Sequence, residues 1–278
     1  MNKTKAQRRM ALAAVLTVGF LLASAGLALA HDMFAKPATF FARENSDVMV
    51  RVLNGTFTGS LNSIARVRLR DVSVLSPSGR ATVDTSAWNA SGDTSTFVVH
   101  TGAAGTYVVG AATRPNVLAM TADTFNMYLG EEGIPDVLAA RRRAGELKLP
   151  AKERYSKHVK SLIQVGSKRT EDYATPLGYA AEIVPLTNPY SLRAGAVLRV
   201  KTLVDGNPVA RQLVLFGGRT ANGARIAERS TRSNANGVAA VPLRARGMWY
   251  VKFINMQKAQ GDTVDYESKW ATLTFEIR

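Results

Sequence analysis

The sequence predicts an all-β protein of two antiparallel β-sandwich domains, the C-terminal one immunoglobulin-like, with a short helical insertion in the first. Three observations carry this. Residues 65–75 alternate Val67 and Leu69 with Arg66, Arg68 and Arg70, then Val72 and Val74 with Asp71 and Ser73, the period-2 pattern of a half-buried strand. Short runs of this kind recur between turns rich in Gly, Pro, Ser and Asn. After residue 178 the rhythm gives about seven strands in about 100 residues, the size of an immunoglobulin-like sandwich.

Residues 1–30 have the parts of a secretory signal. There is a basic start (Lys3, Lys5, Arg8, Arg9), an apolar run over 10–22, and the small-residue box Ala28-Leu29-Ala30. Cleavage after Ala30 leaves a mature chain of residues 31–278. Losing those four basic residues and no acid takes the net charge from +15 to +11. No second long apolar run follows, so the exported product is expected to be a periplasmic protein with no transmembrane segment. The chain contains no cysteine, which removes disulfides, thiolate nucleophiles and lipid-modified cysteine together. Its positive charge favours anionic partners, but Lys and Arg are scattered and the export signal argues against nucleic acid.

In the first domain, 31–178, strands are expected over 48–53, ending at the turn Asn54-Gly55, over 65–75, turned by Ser76-Pro77-Ser78-Gly79, and over 94–100, 106–112 and 117–129. Gly133-Ile134-Pro135-Asp136 then breaks the pattern, with proline well placed for a first helical turn. A helix is read over 137–147, and a second, opened by Pro150, over 151–160, so that the helical insertion occupies about 134–160. The dense run Arg141, Arg142, Arg143 is expected to be a solvated helix face. Thr175-Pro176-Leu177-Gly178 marks the boundary. The second domain, 179–278, reads as strands over 180–184, 197–204, 209–216, 225–230, 238–243, 248–255 and 269–277. Trp249, Tyr250, Phe253, Trp270 and Phe275 are its expected core.

Conventional enzyme signatures are missing: no Gly-x-Ser-x-Gly elbow, no His-Glu-x-x-His and no phosphate-cradling glycine loop. The sequence therefore reads as a binding protein rather than an enzyme, and metal chemistry is what remains. The whole chain has three histidines, His31, His100 and His158. Imidazole suits copper, nickel, zinc and iron. A mature chain that begins at His31 offers its α-amine and ring nitrogen to one ion, closing a chelate without help from the fold, and Asp32 and Met33 follow directly with a carboxylate and a sulfur. The candidate metal ligands are thus His31, Asp32 and Met33, with His100 and His158 as the available third nitrogens. The cofactor expected is a divalent transition metal: nickel, cobalt or copper. Alternatives from other classes are a metal-free exported interaction module of immunoglobulin-like type, and a copper oxidase of the histidine-brace kind.

Several segments carry a resemblance. They are His31-Asp32-Met33-Phe34, the run Arg154-Tyr155-Ser156-Lys157-His158-Val159-Lys160, Glu182-Ile183-Val184-Pro185-Leu186-Thr187-Asn188-Pro189-Tyr190, Asp205-Gly206-Asn207-Pro208-Val209, and Glu267-Ser268-Lys269-Trp270-Ala271-Thr272-Leu273-Thr274-Phe275. Through them nearly the whole mature chain resembles a family of exported bacterial proteins of largely unknown function, described as periplasmic components of cobalt/nickel ABC-type uptake. The resemblance implies paired β-sandwich modules and delivery of a divalent metal to a membrane transporter component. The family pattern has a histidine before the methionine of a strand near the C-terminus, where this chain has Asn255-Met256.

Overall fold

Alternation is the rule that builds this fold, because its central strands send successive side chains into two different cores. The computed structural model describes residues 31–261 and 263–278. The expected signal, residues 1–30, lies outside them.

The strands in chain order are β1 (Asp32–Pro37), β2 (Phe41–Ala42), β3 (Asp47–Gly55), β4 (Leu69–Ser76), β5 (Gly79–Thr82), β6 (Asn89–Ser91), β7 (Thr94–His100), β8 (Gly105–Thr113), β9 (Asn116–Met120), β10 (Ala151–Val165), β11 (Ala181–Pro185), β12 (Val197–Val204), β13 (Asn207–Pro208), β14 (Leu213–Thr220), β15 (Arg225–Arg232), β16 (Val238–Pro242), β17 (Gly247–Lys258) and β18 (Tyr266–Ile277). Two α-helices, α1 (Ala122–Glu131) and α2 (Pro135–Arg143), lie between β9 and β10. The expected all-β sandwich architecture is what the chain adopts.

A ten-stranded sheet runs in the order β15-β14-β17-β18-β10-β8-β4-β5, with β2 and β9 also pairing to β10. It draws strands from both sides of residue 178, and residues 32–278 form one compact unit. The two halves meet at β10 and β18, which pair in parallel. A four-stranded sheet, β1-β3-β7-β6, covers one face, and a second, formed by β11, β12, β13 and β16, covers the other. Val159, Ile163 and Val165 of β10 enter the core shared with β1, β3 and β7, whereas Leu162 enters the core shared with β11, β12 and β16. That is the period-2 geometry of a strand buried on both faces.

Two expectations are corrected here. Residues 151–160, read as a helix, are the first two thirds of the central strand β10. Several of its polar residues are matched inside the fold: Lys160 pairs with Glu182 at 2.8 Å, and Gln164 accepts from Thr106. Residues 117–129, read as one strand, divide into β9 and α1. Thr121 caps α1 by accepting from the Thr124 N–H, a cap that outweighs the apolar run before it.

The helix read over 137–147 corresponds to α2, with Pro135 in its first turn and left-handed Gly145 just beyond its end. Of the arginine run, Arg142 and Arg143 are exposed as expected, but Arg141 is buried. Its guanidinium donates to the carbonyls of Glu146 at 2.8 Å and Leu149 at 2.6 Å and to Asn126 Oδ1 at 3.1 Å, and it lies over the Phe125 ring. Arg141→Ala removes a buried guanidinium from its part-buried hydrogen bonds and its ring contact and is expected to cost about 3 kcal/mol in urea unfolding, against less than about 0.5 kcal/mol for Arg142→Ala.

Of the expected aromatic core, Trp249, Phe253, Trp270 and Phe275 are buried. Tyr250 is half-buried and points the other way, packing edge-on against Phe34 with ring centroids 5.3 Å apart.

Candidate functional site

The first strand starts at Asp32, one residue after His31, and Asp32 is the entry to a cluster of charges that the fold takes largely out of water. Strand β17 brings Lys252 to it. The Lys252 ammonium touches the Asp32 carboxylate and also meets Glu228 of β15 at 3.4 Å and Glu132, which ends α1, at 3.9 Å. Lys252 is 8% exposed and Asp32 13%, while Glu228, at 32%, opens the cluster to solvent. Tyr250 donates its hydroxyl to Glu228 at 2.9 Å.

A second ammonium stands beside the first. Lys157 of β10 donates to Asn54 Oδ1 of β3 at 2.9 Å and lies over the Trp270 ring at 5.2 Å. Further along β10, Glu153 accepts from Tyr128 of α1 at 3.0 Å and from Ser268 of β18. Seven strands and helices therefore contribute to one polar interior.

The protonation states follow from burial and from imbalance. Three carboxylates, Asp32, Glu132 and Glu228, face the Lys252 ammonium. Burial and then the Asp32 charge push the Glu132 carboxyl up to about 8, and burial raises Asp32 and Glu153 in the same sense. Burial alone would lower the Lys252 ammonium, but the three carboxylates outweigh it and raise it above the ordinary lysine value. Burial brings Lys157 down to about 8 against the pull of Asp32, Glu132 and Glu153.

These shifts set a pH dependence. The folded state holds a proton on Glu132 that the unfolded chain releases near 4.5, so Glu132 stabilises below that value and its contribution is lost as pH rises through about 8. Lys157 acts oppositely and only above about 8, where the folded state has already lost a proton that the unfolded chain still keeps. Glu132→Gln is therefore expected to flatten the fall in stability between pH 5 and pH 8. At pH 8 it should exceed the wild type by on the order of 2 kcal/mol in urea unfolding.

The sequence-predicted ligands do not converge. Asp32 is opposite Gly55 on β3, and His100 is opposite Asp47 at the other end of the same strand. Eight residues of strand put them about 27 Å apart. His100 is exposed and bonds Asp47 through Nδ1 at 2.5 Å. His158 follows Lys157 on β10 and so points to the opposite face of the large sheet, away from the Asp32 cluster. Burial lowers its imidazole to about 4, leaving it neutral at physiological pH. Met33 is buried in the core beneath β3 and β7. His31 is half-buried and engaged in contacts of its own. Among the described residues, no three His, Asp or Glu side chains group as metal ligands.

Sequence reasoning missed Lys252, Glu132, Glu228, Lys157 and Glu153. Only Lys252 left a readable signal, a single charge inside the run Trp249-Tyr250-Val251-Lys252-Phe253-Ile254, where an unpaired ammonium would be costly.

Residues 28–257 match DUF4198, a domain of unknown function. The chain belongs to this family. The DUF4198 match begins at Ala28, inside the expected cleavage box, and spans every member of the charge cluster except Ser268 and Trp270. It covers most of the chain and carries no nickel or cobalt assignment. No curated protein matches the chain in sequence. Among solved structures, one similar protein is a candidate membrane-anchored protein from Corynebacterium diphtheriae. It is 10% identical with a TM-score of 0.21, and the similarity covers 88% of this chain and 58% of that one. This chain thus spans less than two thirds of that protein's length. Among the described residues here, no helix is long and apolar enough to cross a membrane.

Proposed function

We propose that this DUF4198 protein is exported to the periplasm, cut after Ala30, and binds a divalent transition metal, nickel, cobalt or copper, through the α-amine and imidazole of His31. It then delivers or buffers that metal for uptake, with a membrane transporter component as its partner. The observation that carries this reading is the position of Asp32. The expected cut leaves one residue ahead of it, and Asp32 itself is fixed by Lys252 at the start of β1. A terminal chelate is thus tethered one peptide bond from an anchored residue rather than at the end of a free tail. The resemblance to cobalt/nickel uptake components supports the delivery role.

A metal-free interaction module is the second reading, favoured by the lack of a ligating trio among the described residues. The two readings part on metal content. Protein purified from the periplasm without chelators, from cells supplied with nickel or copper, should begin at His31 by mass and retain about one metal ion. His31→Ala should fold and retain none. A wild type that takes up no metal, or a His31→Ala protein that keeps it, contradicts the proposal.

A further inference from the structure

The even face of β10, opposite the charge cluster, opens on a cavity of about 230 Å³ lined by Arg70, Asp71, Arg80, His158 and Tyr179. His158 is 2% exposed, and its Nδ1 lies 3.0 Å from the Trp270 carbonyl oxygen. A carbonyl only accepts, so Nδ1 carries the proton and Nε2 carries the lone pair. Nε2 has no hydrogen-bond partner among the described residues. Because no sealed side-chain nitrogen or oxygen among them lacks one, Nε2 faces the cavity that His158 lines.

The walls are held in place from behind. The buried Lys160–Glu182 pair orients a carboxylate that accepts the N–H groups of Leu177 and Tyr179, both at 2.8 Å. Gly110 of β8 lets those two side chains lie against the sheet, since a Cβ there would sit 2.4 Å from Leu177 Cδ1 and 2.6 Å from the Tyr179 hydroxyl. Asp71 is spent internally: it accepts from Tyr179 at 2.7 Å, from Ser73 at 2.8 Å and from Arg80 at 3.1 Å. Arg80 also donates to the Leu177 carbonyl at 2.6 Å. Arg70 is exposed and makes no ion pair or hydrogen bond among the described residues. With His158 neutral and Asp71 matched by Arg80, the cavity has one guanidinium in excess.

That combination selects a ligand. Two guanidiniums oppose a metal cation, whereas a carboxylate fits Arg70 in two-point fashion. A lone-pair nitrogen deep in the cavity requires a donor. The space holds about seven or eight water-sized groups, which limits the ligand to a small molecule. We propose that this cavity binds a small hydroxycarboxylate monoanion, with Arg70 holding the carboxylate and the hydroxyl donating to Nε2 of His158. This site is separate from the proposed terminal metal chelate and does not depend on it.

The test uses the whole mature chain with ¹⁵N-labelled histidine, with lactate as the probe and propionate as its hydroxyl-free counterpart. Before ligand is added, the His158 Nε2 resonance should be that of an unprotonated nitrogen. Lactate should shift it saturably, and propionate should bind roughly tenfold more weakly or less. Arg70→Ala, which alters an exposed side chain, should weaken lactate binding by roughly tenfold or more while leaving the resonance of free His158 in place. A proton on Nε2, the absence of a saturable shift, equal binding of lactate and propionate, or an Arg70→Ala protein that binds lactate as the wild type does would each overturn the assignment.

Discussion

Replacing Lys252 by methionine should destabilise the protein by about 3–5 kcal/mol at pH 8, the cost of removing one partner from a buried ion pair. Methionine keeps a stem of similar length and apolar character, so packing changes little and the loss reports on charge. Without the ammonium, Asp32 and Glu132 face each other and Glu228 with no cation at their centre. They respond by holding protons. Glu132 is already raised to about 8 by burial and the Asp32 charge, and Asp32 is raised by burial even with Lys252 present. Both should rise further in the variant. A carboxyl raised in the folded state stabilises below its unfolded value and loses that contribution as pH rises through its folded one. The deficit of the variant should therefore be smaller at pH 5 than at pH 8. Urea unfolding at the two pH values checks this, and a loss below about 1 kcal/mol at both would show that Lys252 does not hold the cluster together.

Much of the fold was legible because its signals are local. Turns such as Asn54-Gly55 and Ser76-Pro77-Ser78-Gly79 and the alternation through residues 65–75 depend on nearest neighbours, and strands β3, β4, β7 and β8 follow from signals of this kind. Where the reading of β10 failed, the deciding partners were distant in sequence. Strand β10 carries Glu153, Lys157, His158, Lys160 and Gln164 and so reads as an exposed helix until Ser268, Asn54, Trp270, Glu182 and Thr106 are brought alongside it. Arg141 reads as surface for a different reason: the carbonyls it holds are near in sequence but lie just past the end of its helix, where a helical pattern does not place them.

The candidate site divides the same way. His31 and Asp32 could be singled out from the cleavage box alone, since chelation by a terminal histidine needs only covalent geometry. The carboxylates and ammonium groups around Asp32 come from β10, β15, β17 and α1, and no spacing in the sequence announces that they meet. His100 and His158 were attractive as further ligands because histidines are few. The topology sends them to the far end of β3 and to the opposite face of β10.

The terminal chelate has the second large expected effect. An amine and an imidazole on the same residue act as one ligand with two points of attachment, and separating them turns the second attachment into an independent event. A chain that keeps Ala28-Leu29-Ala30 ahead of His31 still has an α-amine and still has the imidazole, but no longer on one residue. Its affinity for nickel or copper should fall by roughly a hundredfold or more. Because the α-amine must lose a proton with a reference value of about 7.7 to 8.0, affinity in the mature chain should also weaken by about tenfold per pH unit below that range. The most direct measurement is calorimetric titration of chain 31–278 and chain 28–278, with nickel and with copper, at pH 8 and pH 6.5. The account predicts tight one-to-one binding by the first, loss of most of that affinity in the second, and weakening at the lower pH. Equal affinity in the two chains would contradict it.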